Sequence, residues 1–403
     1  MDSDSLKIWL MSGGNEAERN FYQKVFKKFK KEYKIEVDFQ PVSWTRVFER
    51  LMKAYKQNKA PDIFQLGTTW VQSLAHLDYL AEVPDFISRP PLAEWLNDCC
   101  SYKNKKVAIP WYGEVRSMLG NKELMEKYGV DIEKIRKREY FYKFCQKIAR
   151  ERKSNPEVPL PCVIPIRPEL GTLNLYLAWS FAGGWRFPDL NPVPDKILNE
   201  KSFIKNFNFL ADLLKKCHID IEKMQKHPSV LYEEFLQGKY VFYMGNWHIR
   251  SLDERVKDSV YSIIPIPISR TNEKRWAGGS VLGVFSGSKY PELSWRLIEM
   301  LTSAEYIEEW VEVTGDLPSF KTEFWENNRD KKGYRLYYNM IQNSVTYPPH
   351  PMWYKIENVL RGKITNYLRS IIQDSDTQKY AKILGKLDQQ IIRLLKLGWD
   401  LNY

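Results

Sequence analysis

Residues Tyr243–Leu252 read YMGNWHIRSL and close the run EEFLQGKYVF. A short apolar strand ends there on a glycine, an amide and an indole, at Gly245, Asn246 and Trp247. An amide that donates and accepts, set beside a large apolar ring, suits a partner that is itself flat and polar. Groups that break bonds show no such arrangement. The five histidines, His76, His218, His227, His248 and His350, are scattered and form no H-E-x-x-H. There is no P-loop, no G-x-G-x-x-G after a strand and no G-x-S-x-G elbow, and Gly278–Gly283 is wrongly spaced for a phosphate cradle. Five cysteines, Cys99, Cys100, Cys145, Cys162 and Cys217, make neither a C-x-x-C pair nor a zinc spacing, and their odd number argues against a disulfide framework. The expectation is a binding protein, not an enzyme, with no catalytic residue, metal or cofactor. With 50 acidic residues, a carboxylate pair of the glycosidase kind stays open as the alternative.

The elements that must hold such residues exceed one core, because 403 residues are more than a single hydrophobic interior usually supports. Hydrophobic content of 43% and charged content of 28% are those of an ordinary globular protein. The 14 tryptophans and 24 tyrosines are more than cores need. A net charge of +11 invites phosphate backbones, but Lys27-Lys28 and Lys30-Lys31 alternate with Phe26, Phe29 and Tyr33 at helical spacing. That is the solvated side of an amphipathic helix, and no nucleic acid is expected. No run approaches the ~18 apolar residues that span a bilayer. Met1–Ser5 reads as an artificial start before Leu6, which fits an exported chain whose leader has been removed.

LKIWLM at residues 6–11, IEVDFQPV and IFQLG read as strands, and Glu16–Tyr33, Trp44–Gln57 and Trp70–Leu80 as helices between and after them. This alternation implies parallel pairing in an α/β sheet, whose ligands meet the loops beyond the carboxyl ends of the strands. KKVAIPWY reads as a strand broken by Pro110. Helices are expected over Lys122–Tyr128, Tyr140–Arg150, Lys201–Lys216 and Ser229–Leu236, and a helical pair over Pro291–Thr302 and Ala304–Val313. VYSIIPIPI and WAGGSVLGVF read as strands, and Lys355–Leu397 as a helical tail broken after Asp374.

Parsed in this way, several segments resemble in order the extracellular solute-binding proteins of ABC importers, the sugar-binding family that includes maltose-binding protein. LKIWLMSGG opens the series, and APDIFQLGTTWVQSLAHLDYLAEV is similar to the family's strand, loop, helix and lead-out block. VAIPWYGEVRSMLGNKELMEKYGVD resembles the crossing into a second lobe, although Leu119-Gly120 replaces the aromatic pair usual before Asn121. AWSFAGGW looks like a Gly-Gly element, and EEFLQGKYVFYMGNWHIRSL like the block that carries a glycine and a tryptophan. YSIIPIPI with RWAGGSVLGVFSGSKYPELSWRLIEMLTS resembles the return crossover, GDLPSF the third, and PPHPMWYKIENVL the late segment that sets an aromatic over the ligand.

The resemblance implies an α/β, two-lobed periplasmic-binding-protein fold with hinge crossovers and a helical C-terminal tail. Residues 1–111 and 266–316 would form one lobe, 112–265 and 317–403 the other, with a sugar in the cleft that closes on it. It implies an oligosaccharide ligand, a membrane permease as partner, a monomeric chain and an extracytoplasmic place, periplasmic or lipid-anchored. Pyranose rings have apolar faces for indoles and a hydroxyl rim for planar polar groups, and each buried hydroxyl left unbonded costs ~1–3 kcal/mol. The implied stacking residues are Trp353 and Trp247, then Trp185 and Trp70, then Trp44 and Trp276. The implied polar residues are Asn246, Glu114, Arg116, Glu16, Thr69 and Asp316, with Gly278 and Gly279 offering backbone N–H groups. On this reading Trp247→Ala and Trp353→Ala each weaken oligosaccharide binding at least about tenfold in calorimetric titration and leave thermal unfolding nearly unchanged.

Overall fold

Leu6, Ile8 and Leu10 are fully buried and alternate with more exposed neighbours, so Ser5–Leu10 is a strand, β1, with one face in the interior. The computed structural model, which describes residues 5–11, 15–245, 260–269, 274–373 and 377–400, next shows helix α1 over Glu16–Tyr33. The Asn15 side chain accepts the Glu18 N–H at 2.8 Å, which caps the helix. Glu16 and Glu18 lie in its first turn and Lys30 and Lys31 in its last, both favourable to the helix dipole.

Strand β2 (Glu36–Pro41), helix α2 (Val47–Lys56) and strand β3 (Ile63–Gly67) follow, then a 3-10 turn over Thr68–Trp70, α3 (Val71–His76) and α4 (Glu94–Cys100). The sequence pattern extends these helices from Trp44 and to Leu80. Two left-handed residues shorten them: Arg46 at φ 66° precedes α2, and Asp78 at φ 58° follows α3. A hairpin of β4 (Ser101–Tyr102) and β5 (Lys105–Lys106) leads to β6 (Ile109–Val115), which passes through Pro110 instead of breaking there. Pro110 is the second residue of that strand, where a missing N–H is tolerated.

Next come β7 (Ser117–Asn121), α5 (Lys122–Lys127), α6 (Arg138–Ser154), β8 (Leu160–Val163), α7 (Leu170–Ala182), α8 (Lys201–Lys216), α9 (Pro228–Leu236) and β9 (Tyr240–Gly245). After them stand β10 (Tyr261–Pro265), β11 (Arg275–Val284), α10 (Pro291–Leu301), α11 (Ala304–Thr314), β12 (Leu317–Pro318), α12 (Glu323–Asn328) and α13 (Lys332–Gln342). β13 (Ser344–Val345), α14 (Trp353–Gln373) and α15 (Thr377–Asp400) complete the chain.

Two compact units result, 1–114 with 278–342 and 115–277 with 343–402. In the first, the strand order is β12-β6-β11-β3-β1-β2. β1 is parallel to β2, with Leu10 opposite Pro41, and to β3, with Ile8 opposite Ile63. β11 is antiparallel to β3, with Val281 opposite Leu66. A Cβ on Gly279 would stand 2.2 Å from the Tyr112 carbonyl oxygen, so only glycine allows β11 to lie so close to β6. Residues 266–277 fall in the second unit and 317–342 in this first one, the reverse of what the resemblance implies. β12 pairs with β6 there, and the Tyr337 hydroxyl donates to the Gly113 carbonyl at 2.7 Å.

The second unit has a sheet in the order β10-β7-β9-β8. β7 is antiparallel to β9, with Met118 opposite Met244, and β8 is parallel to β9. Helix α7 is buried on almost every side, and α14 packs on it and on α8. Asp388 of α15 is 3% exposed, and its carboxylate accepts three backbone N–H groups, from Ile197 at 3.1 Å, Leu198 at 2.7 Å and Asn199 at 2.9 Å. Charge-assisted bonds of this kind are about twice as strong as neutral ones. Asp388→Ala strands all three donors and is expected to lower unfolding stability by ~3 kcal/mol in urea titration, whereas Lys386→Ala on the exposed side of the same helix leaves the midpoint in place.

Candidate functional site

Parallel pairing sends the carboxyl ends of β1, β2 and β3 to one edge of the first unit's sheet. The loops at that edge carry Glu16, Trp44, Thr69 and Trp70. Glu16 is exposed as the first residue of α1. Trp70 is 2% exposed, and it meets Trp44 edge to face at 5.6 Å and Phe48 at 5.8 Å. Trp44 itself is 39% exposed, one of the few large apolar side chains of the described residues that stays in solvent. Gly67 lies against both indoles, where a Cβ would make ordinary contact at 3.4 Å with Trp70 and 3.6 Å with Trp44. Thr69 is half-buried beside them. The result is an indole held from behind by a second indole, with polar groups on the neighbouring loops.

In the same unit Glu114 is half-buried near the end of β6, and Asp316 follows Gly315, which caps α11 in the left-handed conformation at φ 73°. Both carboxylates act on one phenol that the sequence pattern did not single out, Tyr112. Burial pushes its hydroxyl well above the ordinary value, and the charges of Asp316 and then Glu114 push it further. Gly278 is buried, and Gly279 is required by strand packing. Trp111, next to Pro110, packs edge-on against Trp310 at 5.3 Å in the interior.

The second unit gathers a different set. Trp353 begins α14 at 1% exposure, stacks on Tyr347 at 4.6 Å and 23°, and meets Phe187 at 4.9 Å. Its Nε1 donates to the Pro348 carbonyl at 2.5 Å. Trp185 is 2% exposed between Phe187 at 4.7 Å and Phe203 at 4.8 Å, and its Nε1 donates to the Ile197 carbonyl at 3.3 Å. These two indoles, expected to stand open to a ligand, have apolar faces and N–H groups already engaged within the unit. Trp276 is also 2% exposed, 5.9 Å from Tyr347, with the buried Arg116 guanidinium 5.8 Å from its ring. Its Nε1 and the Thr346 Oγ1 are buried without a hydrogen-bond partner, so donor and acceptor capacity is left over at this end of the cluster.

Asn246 and Trp247 lie outside the described residues. At Gly245 a Cβ would come within 2.5 Å of the Tyr243 ring, so the glycine makes room for its own neighbour in β9. Tyr347, Phe187, Phe48 and Tyr112 are the residues that spacing missed. A signal for Phe187 existed in its place two residues after Trp185, but Tyr112 and Tyr347 are joined to their partners only by the fold.

A family model described as bacterial extracellular solute-binding protein matches residues 24–325. The chain is 24% identical over 402 residues to the diacetylchitobiose binding protein DasA of Streptomyces coelicolor, covering 96% of this chain and 90% of that one. Among solved structures it is similar to the GacH receptor of Streptomyces glaucescens, studied unliganded and with acarbose, at TM-score 0.78 and 20% identity over 98% and 99% of the two chains. It is also similar to the sugar-binding protein MalE of Xanthomonas citri, at TM-score 0.75 and 21% identity over 98% of each chain.

Burial separates the two kinds of tryptophan in a way that can be measured. Trp353→Ala is expected to cost ~3–5 kcal/mol of stability, seen as a lowered unfolding temperature without any ligand. Trp44→Ala, which removes a side chain already in solvent, is expected to cost under ~1 kcal/mol in the same measurement.

Proposed function

Because the chain belongs to the bacterial extracellular solute-binding proteins, we propose that it captures an oligosaccharide outside the cytoplasm and delivers it to the membrane permease of an ABC importer. The relatives named for diacetylchitobiose and studied with acarbose support a glycan. The observation that carries the reading is the exposed Trp44 indole, braced by Trp70 at the carboxyl edge of three strands. An indole kept in water and fixed from behind loses little entropy on taking a sugar face. Thr69, Glu16, Glu114 and Asp316 supply hydroxyl partners in the first unit, while Arg116 and the unused Nε1 of Trp276 supply them in the second. Asn246 and Trp247 are proposed for the same ligand. Trp353 serves by holding Tyr347 and Phe187 in place, and Trp185 is packing.

The work is binding, with no bond made or broken. A ligand that binds only the folded chain stabilises it by ~2.7 kcal/mol at one hundred times its dissociation constant. A glycan panel screened by thermal unfolding should therefore contain oligosaccharides that raise the unfolding temperature by several degrees and are recovered uncleaved. For such a ligand, Trp44→Ala is expected to weaken binding about tenfold or more in calorimetric titration, with ligand-free unfolding unchanged. A Trp44→Ala chain that binds every active glycan as tightly as the unaltered protein would remove this wall from the site.

A further inference from the structure

Arg275 opens β11 opposite Ser344 of β13. Its neighbour Trp276 turns toward Arg116 and Tyr347, and strand alternation sends the Arg275 side chain to the other face. There its Nη1 donates to the Ile266 carbonyl at 2.7 Å. Among the described residues no carboxylate pairs with it. Arg136 lies close enough to act on its charge, and its backbone is fixed by the Ile268 N–H, which donates to the Arg136 carbonyl at 2.9 Å. Burial first, and Arg136 second, bring the Arg275 guanidinium down from its ordinary value to about 10. Arg136 reaches Glu133 at 3.1 Å, on a carboxylate that is itself 72% exposed. A third guanidinium approaches from α7's exit, where Arg186 bonds the Lys274 carbonyl.

A desolvated cation beside a second cation is unfavourable unless an anion joins them. We propose that Arg275 and Arg136, with Arg186 beside them, bind an oxyanion of the sulfate or carboxylate class on the face of the second unit opposite Trp276. Guanidinium forks match the paired oxygens of such groups, and the +11 balance of the chain draws anions toward it. The oxyanion comes either free from solution or as the carboxylate of a uronate on the oligosaccharide. Only the second source rests on the function proposed above.

The experiment has two arms. Thermal unfolding is followed in sodium sulfate up to ~10 mM against sodium chloride at equal ionic strength, for the unaltered chain, Arg275→Met and Arg136→Gln. Sulfate is expected to raise the unfolding temperature of the unaltered chain by about 3 °C over chloride, and both substitutions to abolish that difference. Arg136 is partly exposed and makes one surface ion pair, so Arg136→Gln folds even where Arg275→Met does not. In the second arm a uronate oligosaccharide and its neutral counterpart are titrated into the unaltered chain and Arg136→Gln. Binding of the uronate about tenfold tighter than the neutral sugar, lost in Arg136→Gln, identifies the ligand as the source. No excess of sulfate over chloride together with no uronate preference overturns the site, and so does either effect if it survives in Arg136→Gln. The sulfate arm decides whether or not any oligosaccharide binds.

Discussion

Parallel pairing of β1 with both β2 and β3 is the constraint on which the first unit depends. Strands that run the same way must all end at the same edge, so the loops after them have no choice of side. Glu16, Trp44 and Trp70 are apart in the chain and come to one edge for that reason, where the two indoles touch. Each loop then needs only local features to aim its residue. Asn15 fixes where α1 starts, Arg46 in the left-handed region fixes where α2 starts, and Trp70 packs edge to face on Trp44. The Gln65 side chain accepts the Met11 N–H at 2.8 Å and ties the carboxyl end of β1 to β3.

The second unit solves a different problem, that of filling an interior with side chains too large to pack singly. Phe187, Tyr347, Trp353 and Trp276 interlock at 4.6–5.9 Å, mixing a stacked pair with edge-on and tilted contacts. Aromatic quadrupoles favour that mixture over a uniform pile. Three buried indole N–H groups of the chain are satisfied by backbone carbonyls, whereas that of Trp276 is not. Trp353 and Trp185 give theirs to carbonyls of nearby loops, and Trp95 gives its own to Ile341. Asp388 then ties one of those loops to the last helix.

Much of the fold was legible in the residues, and the reasons are local. The apolar spacing of Phe21, Val25 and Phe29 with a capping asparagine marks α1 to the residue. Lys201–Lys216 was legible in the same way, from its periodic face. Helix ends set by left-handed residues were not legible, since Arg46 and Asp78 carry no side-chain signal for that conformation. The candidate site was legible in type and less so in detail. An excess of tryptophan shows that indoles matter, but not which of them face water. Trp353 and Trp44 look alike in sequence, each next to a loop at a helix start. Only their partners, Tyr347 and Phe187 for one and an open side for the other, separate a packing residue from a surface one.

The strand order of the first unit has a consequence for how the chain becomes a protein. β11 lies between β6 and β3, yet it is made more than 150 residues after β6. Until residues 275–284 are present, neither flanking strand has its neighbour on that side. Early closure by the wrong neighbour would trap apolar strands. Gly279 at its centre lets this late strand lie against β6, so the sheet of the first unit can be completed only after residues 115–277 of the second have been made.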